Sequence, residues 1–232
     1  MADIAASEVA YTSGAVPMRG YLARPTAAGV HPGVIVIQEW WGLNAHIKGI
    51  ADRFAREGFV ALAPDLYSRQ GHRVTKNGDE AGKLMQALSH ADGISDLLAS
   101  IAFLKTQPGV DAQRIGATGF CMGGTFALLL ALRSDDIKAS VPFYGQVAPS
   151  EQLSQLRCPV LYIYGGQDGW ITRDEVSRLD EALKKYRKPG EVRIYPDAPH
   201  AFFNDTRPEA YRPADADDAW RRALQFLRHH LG

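Results

Sequence analysis

The chain has 232 residues, enough to bury a full core within a single domain, and its 46% hydrophobic and 22% charged residues match an ordinary globular protein. Lys plus Arg balance Asp plus Glu at 26 each, so no net charge recommends nucleic acid or an anionic membrane as a partner. Two cysteines exclude a disulfide framework. The start Met1-Ala2-Asp3-Ile4 has no basic, apolar leader pattern and no apolar window reaches bilayer length, so the expectation is a cytoplasmic protein in reducing surroundings.

In chain order, residues 7–23 read as a hairpin. Residues 33–38 (GVIVIQ) form a continuous β-branched run, the pattern of a strand buried on both faces. A helix follows: Ile47, Ile50, Ala51, Phe54 and Ala55 recur at helical spacing, Asn44 suits the N-cap and Gly58 the stop. Residues 59–63 (FVALA) are the next strand and 64–77 an irregular excursion. Residues 82–106 read as one long helix halted by Pro108-Gly109. A strand over 114–120 runs straight into Cys121, and 122–133 is a helix apolar nearly all round. Strands over 139–144 and 160–164, a helix over 173–185, a strand over 191–195 and a closing helix over 216–230 complete the chain. Strands alternating with helices imply an α/β fold with a mainly parallel sheet covered on both faces. In such sheets ligands bind beyond the carboxyl ends of the strands. Glu39, Cys121, Tyr144, Asp168 and His200 each closely follow a strand, so one rim is expected to gather them.

The motif with most chemical content is Gly119-Phe120-Cys121-Met122-Gly123-Gly124, the cysteine form of G-x-S-x-G. A strand that must turn into a helix within one residue holds that residue in a strained conformation, with small neighbours on each side. Its sulfur is then expected to be exposed at a helix start, where N–H groups and the helix dipole favour a thiolate. The Met122 N–H would face a developing oxyanion. Read alone, G-x-C-x-G fits a buried structural cysteine equally well; the flanking strand and helix favour the nucleophile. Asp168 follows Gly165-Gly166-Gln167 and His200 follows Pro199, giving the chain order nucleophile, acid, base. Taken singly they fit a turn aspartate and a loop histidine. Of the other histidines, His31 precedes a strand, and His229 and His230 close the last helix. Glu39 reads either as a solvated strand-end carboxylate or as a group that restrains a reactive thiolate. The loop after it would supply a second oxyanion N–H from Trp40.

At these residues the chain resembles the dienelactone hydrolase family. The resemblance spans nearly the whole length, through Gln38-Glu39-Trp40-Trp41-Gly42-Leu43-Asn44, Ala63-Pro64-Asp65-Leu66-Tyr67, the 119–124 elbow, the 165–168 turn and His200-Ala201-Phe202. It implies an α/β-hydrolase fold in one domain, a Cys-Asp-His triad, no cofactor, and cleavage of a small ester or lactone such as a carboxymethylenebutenolide. It further implies that Glu39 contacts the cysteine at rest and releases it when substrate binds. Lactone-cleaving members resemble one another in carrying an arginine four residues after the histidine; here that position is Asn204, with Arg207, Arg69 or Arg73 as substitutes. A neutral amide lacks the charge-assisted, bidentate grip of a guanidinium on a carboxylate.

Trp41, Tyr144, Trp170, Phe202 and Asn204 are the candidate substrate contacts, although core packing explains the aromatics as well, Trp41 above all. Rival readings are an esterase or thioesterase for neutral substrates and a non-hydrolytic small-molecule sensor. A thiol redox protein fits less well, since Cys158 precedes Pro159 at a strand entrance and no resolving cysteine lies near Cys121. No His or Cys cluster has metal-ligand spacing. The expected partner is a small molecule, with the chain a monomer or small homo-oligomer.

Overall fold

A computed structural model describes residues 2–232. The strands are β1 (Ile4–Ser13), β2 (Val16–Pro25), β3 (His31–Ile37), β4 (Val60–Pro64), β5 (Val110–Phe120), β6 (Ile137–Phe143), β7 (Val160–Gln167) and β8 (Gly190–Pro199). The helices are α1 (Ala45–Arg56), α2 (Gly78–Ala87), α3 (His90–Lys105), α4 (Met122–Arg133), α5 (Ser150–Leu153), α6 (Arg173–Lys185) and α7 (Pro213–Leu231). The strands form one eight-stranded sheet in the order β1-β2-β4-β3-β5-β6-β7-β8. The β1–β2 and β2–β4 pairs are antiparallel; β3–β4, β6–β7 and β7–β8 are parallel. This is the expected mostly parallel α/β architecture. Among the described residues no helix is long and apolar enough to cross a membrane. Contacts divide the chain into two compact units at Ala117/Thr118.

In the first unit the predicted hairpin is present, its two strands joined through Gly14 at φ 58. The Asn44 side chain accepts from Ile47 N at 3.1 Å and starts α1, which buries Ile47, Ile50, Ala51, Phe54 and Ala55 as the spacing requires. The expected single helix over 82–106 is two helices. Leu88 leaves the helical region, and Ser89 caps α3 by accepting from Asp92 N at 3.0 Å while donating to Asp92 Oδ2 at 2.7 Å. A serine in a strong N-cap geometry outweighs continuation of the apolar pattern across it.

In the second unit α4 and α7 pack on β6. The α4 side chains Phe126, Leu128, Leu130 and Leu132 are buried, each contributing roughly 1.5–3 kcal/mol by removal from water. Gly124 lies against the backbone after β6: a Cβ there would collide with the Phe143 carbonyl oxygen and with Gly145. That close approach brings the start of α4 onto the end of β6. Helix α6 opens on a reciprocal capping box, Thr172 with Glu175. Short α5 was not expected from the pattern, and β8 runs on past Tyr195, its predicted end, to Pro199.

Candidate active site

Cys121 stands between β5 and α4 with φ 55 and ψ −118, a conformation that costs a non-glycine residue about 1–3 kcal/mol. Two backbone bonds hold it there: Cys121 N donates to Phe143 O at 3.1 Å, and Thr125 N donates to Cys121 O at 3.2 Å. Met122 is the first helical residue, so its N–H lies in the terminal turn. The sulfur was expected to be exposed; instead Cys121 is buried, with 8% of its surface accessible. Phe120, the residue before it, stacks on Phe203 at 5.2 Å and contacts Phe143 at 4.7 Å.

The acid and the base come together through the register of two parallel strands. Gln167 of β7 pairs with Pro199 of β8, so the next residues, Asp168 and His200, leave the sheet side by side. The pairing is irregular between Gly165 and Gln167, where β8 bulges toward β7. A Cβ on Gly165 would strike the Ala198 and Pro199 carbonyls, and one on Gly166 would strike Pro196. The Gly165-Gly166 pair is therefore a steric requirement of the bulge that aligns Asp168 with His200.

The Asp168 carboxylate is fully buried and all its visible bonds point to one task. Oδ2 accepts from His200 Nδ1 at 2.7 Å. Oδ1 accepts from Trp170 N at 2.7 Å and Ile171 N at 2.9 Å, which folds the following turn around the carboxylate. Donation from Nδ1 leaves Nε2 as the ring atom able to take or give a proton. Nε2 is buried and, among the described residues, has no aligned hydrogen-bond partner, while the Cys121 side chain is near enough to act on the ring's charge. Burial opposes the imidazolium, but the Asp168 hydrogen bond and Cys121 outweigh it, raising His200 from 6.5 to about 10.

Because that pKa is raised on folding, the stabilisation from His200 is complete below pH 6.5 and is lost as pH rises through about 10. Urea unfolding from pH 6.5 to 10 should show a decline in stability that His200→Gln removes in part. Identical pH slopes in the two proteins would contradict the assignment of charge to this ring.

At Cys158, burial, opposed only by Lys138, pushes the thiol up to about 12. Two free cysteines thus sit in different electrostatic surroundings, and only Cys121 has an imidazole beside it.

Aromatic rings frame the histidine. Tyr144, held at φ 38, lies 5.1 Å from the His200 ring, and Trp170 stacks on that ring at 5.6 Å and 18°. Phe202 is fully buried between Tyr144 at 5.8 Å and Tyr195 at 5.1 Å, so it backs the tyrosine and offers substrate no surface. Asn204 is also buried, and its side-chain oxygen accepts from Thr206 N at 3.0 Å and Thr206 Oγ1 at 2.6 Å. It shapes its own turn, which corrects its expected place among the substrate contacts. Two further residues support the site: Tyr162 donates its hydroxyl to Gly145 O, and Thr125 Oγ1 accepts from Gln146 N at 2.9 Å. Both pin the loop carrying Tyr144. Neither has a local signature, since their partners are distant in sequence.

The remaining candidates belong to the first unit. Glu39 is 1% exposed, which rules out a solvated carboxylate. Trp40 and Trp41 are half-buried and meet edge to face at 4.9 Å; Tyr67 Oη donates to Trp40 O at 2.9 Å, and Thr75 N donates to Trp41 O at 3.0 Å. The suggested substitute arginines have carboxylate partners. Arg69 makes two bonds to buried Asp96 at 2.9 and 2.8 Å, Arg73 binds Glu80 at 2.7 Å, and Arg207 of the second unit binds Glu209 at 2.8 Å.

Residues 18–231 match the model of the dienelactone hydrolase family. A putative carboxymethylenebutenolidase of Synechocystis sp. is 36% identical, covering 99% of this chain and 98% of its own. A probable 2-oxo-3-(5-oxofuran-2-ylidene)propanoate lactonase of Bradyrhizobium sp is likewise 36% identical, over 91% of this chain and 89% of its own. The crystal structure of a putative dienelactone hydrolase from Klebsiella pneumoniae superposes with a TM-score of 0.91 at 33% identity, covering 97% of this chain and 99% of that one. The chain is thus a hydrolase with an α/β-hydrolase fold, and it belongs to the dienelactone hydrolase family.

Proposed function

We propose that this chain acts as a single α/β-hydrolase domain that cleaves a small ester or lactone through an acyl-cysteine intermediate. The observation that carries this reading is the 2.7 Å bond from His200 Nδ1 to a fully buried Asp168, beside a cysteine held at φ 55 at the head of a helix. The Cys121 thiolate attacks the carbonyl carbon, and the carbonyl π electrons move onto oxygen. The oxyanion accepts from the Met122 N–H at the start of α4. As the tetrahedral intermediate collapses, the ester C–O bond breaks and the leaving oxygen takes the proton on His200 Nε2. Water then adds to the thioester, giving a proton to Nε2, and the C–S bond breaks to return the thiolate. Asp168 keeps the imidazole in one tautomer throughout. The family resemblance assigns Glu39 the restraint of the thiolate before substrate arrives, and its burial is in keeping with a role other than solvation.

For the substrate, uncharged acyl groups suit the residues best. The position where lactone-cleaving relatives are expected to hold an arginine is Asn204, which is neutral, buried and occupied with Thr206. Arg69 is tied by two bonds to Asp96. Trp170, 56% exposed, offers an aromatic face beside the base, whereas Tyr144, expected among the substrate contacts, is fully buried like Phe202 and supports the histidine from within.

Comparison of kcat/KM for an uncharged aryl ester and for an anionic lactone of similar size tests this. The uncharged ester should be favoured, by roughly tenfold or more, the scale of one missing charge-assisted contact. A preference for the anion would contradict the assignment, and stoichiometric binding of both without turnover would replace hydrolysis with sensing.

A further inference from the structure

We infer that Trp170 is a positioning residue for the catalytic base: its indole, stacked on the His200 ring, clamps the imidazole against Tyr144 and favours its cationic form. This rests on the reading of His200 as the base.

Three observations meet at this ring. First, Trp170 is 56% exposed, yet its indole lies nearly parallel to the His200 imidazole, 5.6 Å away at 18°. A tryptophan gains most from burial, so one left half in solvent while stacked on a titrating ring serves that ring more than the core. Second, the stacking partner is not free to drift. Asp168 Oδ1 accepts from Trp170 N at 2.7 Å and Ile171 N at 2.9 Å, while Oδ2 accepts from His200 Nδ1 at 2.7 Å. One buried carboxylate therefore fixes both the edge of the imidazole and the backbone of the residue that covers its face. The buried Tyr164 hydroxyl donates to Ile171 O at 2.9 Å and anchors the same turn from β7. Third, Tyr144 lies 5.1 Å from the imidazole, tilted 60° to it. Tyr144 at φ 38 and Ala201 at φ 61 both hold backbone conformations that need surrounding structure to persist.

The chemistry follows from the rings. An indole face is electron-rich and attracts a cation set over it, and tryptophan is the strongest aromatic in that role. A neutral imidazole gains far less, so the stack favours the protonated base, the form that delivers a proton to the leaving oxygen. It also restricts rotation of the ring about Cβ–Cγ, which keeps Nε2 directed at the reacting atoms. The groups acting on this charge are Asp168 after β7 and Cys121 at the start of α4, with the Tyr144 ring after β6 lying beside it. Trp170 adds a polarisable face that carries no charge of its own.

The test uses the intact protein and two variants of similar bulk, Trp170→Leu, which covers the ring without a π face, and Trp170→Phe, which keeps one. The readouts are kcat/KM for an aryl ester and the pH profile of Cys121 alkylation by iodoacetamide. Trp170→Leu should lose roughly fivefold in kcat/KM, and the basic transition of its alkylation profile should move to lower pH, while Trp170→Phe recovers most of both. A purely structural tryptophan would change stability without moving that transition. Leu and Phe variants that behave alike, whether both intact or both impaired, overturn the inference. Hydrolysis that survives Cys121→Ala would instead remove the triad reading beneath it, so the two failures are distinguishable.

Discussion

Replacing Cys121 with alanine should lower ester hydrolysis by at least about a thousandfold while leaving the thermal unfolding midpoint near that of the parent protein. The size of the loss follows from what is removed. Cys121 is the thiol that acts on His200, and the second cysteine is buried with its thiol pushed up to about 12. What survives is the contribution of the oxyanion donor and of substrate binding, which accelerate a water attack only modestly. Stability should hold because alanine and cysteine face the same cost at φ 55, and the bonds that fix the bend, to Phe143 O and from Thr125 N, are made by backbone. Initial rates with a chromogenic ester, set beside a melting curve, check both halves. A variant that is stable and still turns over at a tenth of the parental rate would mean the sulfur is not the nucleophile.

The second large effect is expected from Asp168→Asn, a drop of about 10⁴-fold in kcat with KM little changed. The substitution is nearly isosteric, and a carboxamide oxygen can still accept from Trp170 N and Ile171 N, as Asp168 Oδ1 does now. The turn is therefore preserved. What changes is the other side. An NH₂ group facing His200 Nδ1 requires that nitrogen to accept, which moves the ring proton to Nε2 and leaves no lone pair there to take a proton from water. The imidazolium also loses the carboxylate whose hydrogen bond helps hold it charged against burial, so His200 should titrate below its present value of about 10. Steady-state kinetics across pH 6 to 10 with one ester separate these effects from unfolding. Unchanged kcat in a folded variant would show that the carboxylate does not orient the base.

Much of this site was legible in the sequence because it depends on local pattern. The elbow is written in six consecutive residues, and a strand and a helix flank it where apolar runs of two different lengths meet. The bounds of α4 and α6 match their expected ranges, since each is delimited by a cap or a sharp change of backbone direction. Asp168 and His200 could be proposed from chain order, but their contact depends on how β7 and β8 pair, and register between distant strands has no local signature. The same limit hid Tyr162 and Thr125, whose partners are 17 and 21 positions away. The merged helix over 82–106 failed for another reason: apolar periodicity continues across Ser89, and only the cap geometry reveals the break. The low exposure of Cys121 was not legible either, since a six-residue motif fixes the bend and not what packs around it in three dimensions.

The most direct measurement is the mass of the protein during a single turnover of a slowly hydrolysed ester, quenched in acid and mapped by peptide. The acyl-cysteine mechanism predicts a transient increase equal to the acyl group, confined to the peptide containing Cys121 and absent from the alanine variant. An acyl group found on a different residue, or full turnover with no covalent species at any time, would contradict it.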